Sequence, residues 1–315
     1  MAPMQTVRRA VIDVGTNSVK LLVGDVDDFT VSPCLETSRQ TRLGRGFYPA
    51  HELQPEAIAG TANAVAEFAR AARERGAGFI RVIATSAARD AVNASQLVAA
   101  IRQAAGLDIE IISGEKEAEW AYRGIVSDPR FAGQRVLVLE VGGGSTQVVF
   151  DAGGSLPVCH SFKLGSVRLL EKMSKVDPPP VGELAACRAH VRDFLNAHMR
   201  PVIEDALKKH PMGTIHLVGS GGTSSVLCSM RLGLSRFDRQ AIESVTLLLP
   251  ELQTTMHHLW SETLAGRQKI PGLPPDRADV ILTGIAIHEV MMDLFDFRTL
   301  RVSTRGIRFA ALLEN

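Results

Sequence analysis

Apolar residues in this chain come in short runs closed by glycine-rich turns, and these alternate with longer stretches whose apolar residues recur at helical spacing. Ala10 to Val14 and Lys20 to Val26 are two such runs joined by a Gly/Thr/Asn/Ser turn, which predicts a β-hairpin, and Val31 to Arg39 predicts a third strand. Pro55 to Arg75 is Ala-rich with Ile58, Ala62, Val65, Phe68 and Ala69 on one face, a helix closed by Gly76. Phe79 to Thr85 then reads as a strand, Ser95 to Ala105 as a helix stopped by Gly106, Leu107 to Ile112 as a strand and Glu115 to Val126 as a helix. Strands and helices in alternation imply an α/β fold with a mainly parallel sheet.

The loop Ser127-Asp128-Pro129 marks a boundary, giving a first domain of residues 1–126 and a second of 127–315. The second half repeats the plan, with strands at Arg135 to Val141, Thr146 to Asp151 and Val158 to Leu164. Pro178-Pro179-Pro180 opens a long predicted helix to about Lys209, followed by a strand at Thr214 to Val218 and a helix from Gly222. Asp276 to Asp293 reads as a helix with Val280, Ile281, Gly284, Ile285 and His288 as its apolar stripe, a core rather than an interface; a strand at Leu300 to Ser303 and a short helix follow. The two halves are in register: Asp13 falls on Glu140, Gly15 on Gly142 and Ser18 on Ser145, each pair 127 residues apart. Two half-sites facing each other are expected.

At 315 residues the chain exceeds what one core holds, which agrees with two domains. Lys and Arg number 35 against 34 Asp and Glu, so no global field draws the chain to nucleic acid or to a membrane surface, and a polyanion must be held by a local cluster. Cys34, Cys159, Cys187 and Cys228 lack CxxC spacing, which argues against zinc and against a disulfide framework. The N-terminus has no signal-peptide pattern and no run approaches the roughly 20 apolar residues of a membrane span, so the expected location is a reducing cytoplasm.

Candidate chemistry sits in the turns. Gly15, Thr16, Asn17 and Ser18 form one, Gly142, Gly143, Gly144, Ser145 and Thr146 a second. In such a turn backbone N–H groups converge on a point that suits a phosphate oxygen, although glycines also serve simply to close a hairpin. A third turn with Gly221, Gly222 and Thr223 lies between a strand and a helix, where the helix N-terminus adds its positive end. None has Walker A or dinucleotide-binding spacing. Asp13 and Glu140 each end a strand just before a turn; they either cap their own turns or together hold a divalent cation between the lobes, with magnesium the expected ion.

These residues resemble the exopolyphosphatase and guanosine pentaphosphate phosphatase family of the actin, sugar-kinase and heat-shock chaperone superfamily. The resemblance runs along essentially the whole chain, through Ala10-Val-Ile-Asp-Val-Gly-Thr-Asn-Ser18, Ala84-Thr-Ser-Ala-Ala-Arg89, Ile111-Ile-Ser-Gly-Glu-Lys-Glu-Ala118, Val141-Gly-Gly-Gly-Ser-Thr146, Leu164-Gly-Ser-Val-Arg168 and Ala278-Asp-Val-Ile-Leu282. It implies two ribonuclease-H-like (actin-like ATPase) domains flanking a cleft. It also implies an exopolyphosphatase that uses Mg2+ or Mn2+ to release orthophosphate from inorganic polyphosphate, or a pppGpp 5′-phosphatase acting on guanosine polyphosphates. A homodimer belongs to the same expectation, with contacts curtailed in this short two-domain form. By the resemblance Glu117 is the general base and Arg89 neutralises phosphoryl charge, with Arg168 a second cation. From physics alone Glu117 is a carboxylate at a helix start that compensates the dipole.

The sequence departs from the family pattern at several positions. Lys116 replaces the first acid of the base motif, Glu140 stands where an Asp is usual, Gln147 replaces a Glu, and Phe309-Ala310 lacks the acid found near the end. Glu140 and Gln147 together motivate an alternative, a catalytically weak sensor that binds polyphosphate or guanosine polyphosphates. Arg301, Arg305 and Arg308 read as a solvated surface set rather than a polyanion site.

Overall fold

The first hairpin follows from two continuous apolar runs joined by a glycine turn. β1 (Val7–Val14) runs antiparallel to β2 (Ser18–Val26), with Asp13 opposite Lys20 and Val14 opposite Val19. The structure is a computed structural model describing residues 6–27, 30–151, 157–210 and 212–314. β3 (Val31–Gln40), α1 (Pro55–Glu74), β4 (Phe79–Ala84), α2 (Ser86–Asp90), α3 (Ala94–Ala105), β5 (Ile109–Ile111) and α4 (Gly114–Val126) complete the series. The sheet order is β3-β2-β1-β4-β5, antiparallel across the first three strands and parallel from β1 through β4 to β5. Both faces of the sheet are apolar. Ala10, Ile12, Val14, Leu21 and Val23 pack with Val65, Phe68, Leu97 and Ile101 of α1 and α3, whereas Val11, Leu22 and Ile83 pack with Trp120 of α4.

The second series is β6 (Arg135–Val141), β7 (Thr146–Asp151), β8 (Val158–Phe162), α5 (Ser166–Leu170), α6 (Glu183–Phe194), a π-helical turn (Leu195–Met199), α7 (Arg200–Lys208), β9 (Ile215–Ser220) and α8 (Gly221–Leu232). It continues through α9 (Arg239–Ser244), β10 (Thr246–Leu248), α10 (Leu249–Ser261), α11 (Leu264–Arg267), α12 (Ile281–Leu294) and β11 (Thr299–Val302), with α13 (Ile307–Leu313) last. The sheet order β8-β7-β6-β9-β11 reproduces the order and directions of the first sheet, and β10 adds an antiparallel edge. The 127-residue offset carries through to the pairing: Glu140 lies opposite Gln147 as Asp13 lies opposite Lys20.

Two helices begin later than their sequence patterns predict. The helix expected from Pro178 starts at Glu183 and passes through the π turn before Pro201, which has no N–H for an α-helical acceptor and whose ring crowds that carbonyl. The helix expected from Asp276 starts at Ile281, because Pro275–Arg277 form a separate 3-10 turn behind Pro274. The contact pattern divides the chain into Met1–Pro129 with Arg305–Asn315, and Arg130–Thr304. The end of the chain therefore departs from the expected 127–315 domain. Ile307, Phe309, Ala310, Ala311 and Leu312 cover Val11, Leu22, Ile83 and Ile112 on the first sheet.

His288 of α12 is fully buried, as expected for a core position. Its Nδ1–H donates to the Gly284 carbonyl at 2.8 Å and its Nε2 lies 2.9 Å from Ser224 Oγ. Burial pushes its pKa down from 6.5 to about 4. The unfolded chain therefore binds a proton across an interval in which the folded chain does not. Stability from neutral His288 is complete above about pH 6.5 and lost progressively toward pH 4, about 3 kcal/mol in total. In His288→Asn the loss of stability between pH 7 and pH 4.5 should be smaller than in the parent; urea midpoints followed by emission of Trp260, which bonds the Leu282 carbonyl in the same unit, measure it.

Candidate functional site

The carboxyl ends of β1, β4 and β5 lead into the Gly15–Ser18 turn, α2 and α4, the edge at which α/β sheets present ligand-binding groups. Within the turn the Gly15 N–H donates to the Ser18 carbonyl at 3.0 Å. The segment after β3 folds back beneath it: the Gly44 N–H donates to the Thr16 carbonyl at 2.7 Å and the Arg42 N–H to the Asn17 carbonyl at 2.9 Å. The turn's carbonyls are thus held from behind, which leaves its N–H side as the face suited to an anion.

The second unit uses the same device. The Gly142 N–H donates to the Ser145 carbonyl at 2.9 Å, and the segment after β8 supplies the backing. Ser166 N–H donates to the Gly142 carbonyl at 2.9 Å, and Val167 and Arg168 N–H groups to the Gly143 carbonyl at 2.8 and 3.0 Å. Arg168 Nε donates to the Gly144 carbonyl at 2.8 Å. The Leu164-to-Arg168 motif is therefore a brace for the turn. Gly165 makes this possible: its backbone is extended, and a Cβ there would lie 2.4 Å from the Gly143 carbonyl oxygen.

Asp13 and Glu140 have different surroundings. Asp13 is buried with Lys20 Nζ 3.9 Å from its carboxylate. Glu140 accepts from Ser220 Oγ at 2.6 Å, while Gln147 opposite it turns its amide nitrogen to Ser145 Oγ at 2.9 Å and Ser161 Oγ at 3.1 Å. Gln147 does what a glutamate cannot, donating to the hydroxyl of the phosphate-type turn. The expected third turn is the direct junction of β9 and α8, with Gly221, Gly222 and Thr223 in the first turn of the helix, and it adjoins the second turn through Glu140. Gly221 takes a left-handed φ of +84°, and a Cβ on it would lie 3.3 Å from Glu140 Cγ. A methyl on Gly222 would collide with the Arg277 guanidinium, and one on Gly284 would press on Thr223. Arg277 was not recognisable from sequence, since a single arginine ahead of a helix has no pattern.

Glu117 and Arg89 come together. Ser113 caps α4 by accepting the Lys116 N–H, which places Glu117 in the first turn. Arg89 Nη1 donates to Glu117 Oε2 at 3.1 Å and to the Ile112 carbonyl at 3.0 Å. Glu117 is 9% exposed, so the carboxylate is oriented and largely shielded. Dipole compensation at a helix start does not require that burial.

Arg301, Arg305 and Arg308 are structural. Arg301 stacks on Phe131 and donates to Gln134, Arg305 donates to the Ser127 carbonyl, and Arg308 donates to the Leu21 carbonyl. Among the described residues no three His, Cys, Asp or Glu side chains form a metal cluster. Single carboxylates such as Asp13 and Glu140 fit Mg2+ or Mn2+, hard ions that keep water and phosphate oxygens as their other ligands.

Two ribonuclease-H-like units, each closing its central hairpin on a backed, phosphate-type turn, define a two-domain protein of the actin-like ATPase class. The chain belongs to the Ppx/GppA phosphatase family, whose model matches residues 5–314. It is 33% identical over 302 residues to exopolyphosphatase 2 of Mycobacterium tuberculosis, covering 92% of each chain. Among solved structures it is similar to the PPX-GPPA enzyme of Aquifex aeolicus, with 28% identity and a TM-score of 0.78 over 99% of this chain and 100% of that one. In fold it also matches an exopolyphosphatase from Cytophaga hutchinsonii, with 23% identity and a TM-score of 0.85 over 97% and 96% of the chains. The protein is an enzyme of the phosphoanhydride hydrolase type. Among the described residues no helix is long and apolar enough to cross a membrane.

Proposed function

We propose that this phosphatase releases orthophosphate from the ends of inorganic polyphosphate in the cytoplasm, with Glu117 as general base. The observation that carries the reading is the Arg89–Glu117 pair, a shielded carboxylate leaving the same sheet edge as a phosphate-type turn. Glu117 takes a proton from a water aimed at the terminal phosphorus, and Arg89 holds the base while presenting guanidinium N–H groups to the phosphoryl oxygens. Gly15, Thr16, Asn17 and Ser18 in one unit, and Gly142 to Thr146 with Gly221, Gly222 and Thr223 in the other, bind the phosphates through backbone and hydroxyl donors. Arg277 adds charge beside Gly222. Asp13 and Glu140 would hold Mg2+ or Mn2+, which when bound neutralises charge on the phosphate oxygens. A homodimer is the proposed assembly.

A second reading, a weak sensor, is favoured by one observation: Gln147 spends its amide on Ser145 and Ser161. The test is orthophosphate release from long-chain polyphosphate and from pppGpp, with Mg2+ or Mn2+. Release from polyphosphate, competed weakly by pppGpp, is expected; preference for pppGpp would replace the substrate, and binding without release under either ion would establish the sensor.

A further inference from the structure

The carboxylate of Glu314 sits at the convergence of three donors from one face of α4. Lys116 Nζ lies 2.7 Å from Oε1, Trp120 Nε1 2.6 Å from Oε2, and Arg123 Nη1 2.8 Å from Oε2. Residues 116, 120 and 123 follow helical spacing, so a single acid grips two turns of the helix that carries Glu117. The acid is itself fixed. Arg81 Nη1 donates to the carbonyls of Ala311 at 3.1 Å and Glu314 at 3.2 Å, and Arg9 Nη1 to that of Leu312 at 3.1 Å. Cations from β1 and β4 thereby cap the carboxyl end of α13. At its far end α4 lies on the backbone of Gly306, so closely that any side chain at Gly124 would clash. Burial works against the charge on Glu314, but the bonds from Lys116 and Trp120 prevail and hold its pKa below the ordinary carboxylate value.

We infer that Glu314 is a positioning residue for Glu117: it clamps α4 against α13 and gives Lys116 a partner, so that the base keeps its place against Arg89. The inference rests on the reading of Glu117 as base and deepens it. It also explains Lys116, which stands where the family pattern has an acid. On the helix Lys116 points away from Glu117, toward Glu314 at 2.7 Å and Glu119 at 3.9 Å, so its charge is held on the clamp side of α4.

The experiment compares Glu314→Ala, Glu314→Gln and Glu314→Asp in the full chain, measuring kcat and KM for polyphosphate release and the emission of Trp120. Trp260 is the only other tryptophan and belongs to the other unit. Displacing a catalytic group by about 1 Å costs up to about a hundredfold in rate. Glu314→Ala should lower kcat about tenfold with KM within about twofold and shift Trp120 emission; Glu314→Asp should recover part of both. Glu314→Gln keeps the shape and guards against loss of folding; it should fall between them. Parent kcat in Glu314→Ala, with or without an emission change, overturns the inference. Glu117→Gln run alongside separates the two failures: full activity there refutes Glu117 as base, whereas Trp120 emission still reports whether the clamp exists.

Discussion

Glu117→Gln should leave polyphosphate binding within about twofold while lowering kcat by roughly 10²- to 10⁴-fold, the range spanned by a positioned general base. The amide has the carboxylate's shape and can still accept from Arg89 Nη1, so α4 and the turn at Gly15 keep their geometry. What it lacks is basicity. Orthophosphate release under saturating polyphosphate, beside equilibrium binding, checks the expectation; parent-like turnover would remove Glu117 from the chemistry. Arg89→Lys is a weaker perturbation, because an ammonium keeps the charge while losing the fork that contacts Glu117 and the Ile112 carbonyl together.

The second large effect is expected at Gly165. Alanine there keeps the extended backbone but places a methyl 2.4 Å from the Gly143 oxygen and 2.5 Å from the Gly144 carbonyl carbon, neither of which can rotate away. The turn or the brace must move. Overpacking of this kind costs about 1–3 kcal/mol or more, and it falls on the donors that would meet phosphate. Gly165→Ala should therefore raise KM at least tenfold and lower the denaturation midpoint of the second unit. Gly60→Ala, in an open position on α1, is the control and should change neither.

The hairpins were legible because short apolar runs and a glycine turn are local signals, and the 127-residue offset gave the pseudo-repeat that both sheets obey. The glycine turns themselves were legible for the same reason. What supports them was not. Arg168 read as a second cation for phosphoryl charge, yet with Gly165 it faces the carbonyl side of the turn. Gln147 read as a damaged ligand, yet it donates to two serines. Apart from the contact of Gln147 with Ser145, these roles depend on partners 14 to 24 residues away across strands and loops. The place of α13 was hidden too, because a short, mostly apolar helix carries no mark of the sheet it will cover.

That last helix alters the order of events during synthesis. Residues 130–304 form one continuous unit, whereas the unit begun first lacks part of the cover for one face of its sheet until Ile307 to Leu312 emerge. Chains usually complete their domains from the amino end as they leave the ribosome. Here the nascent first unit must wait, with Val11, Leu22 and Ile83 covered only in part by Trp120 of α4, until the second has been translated.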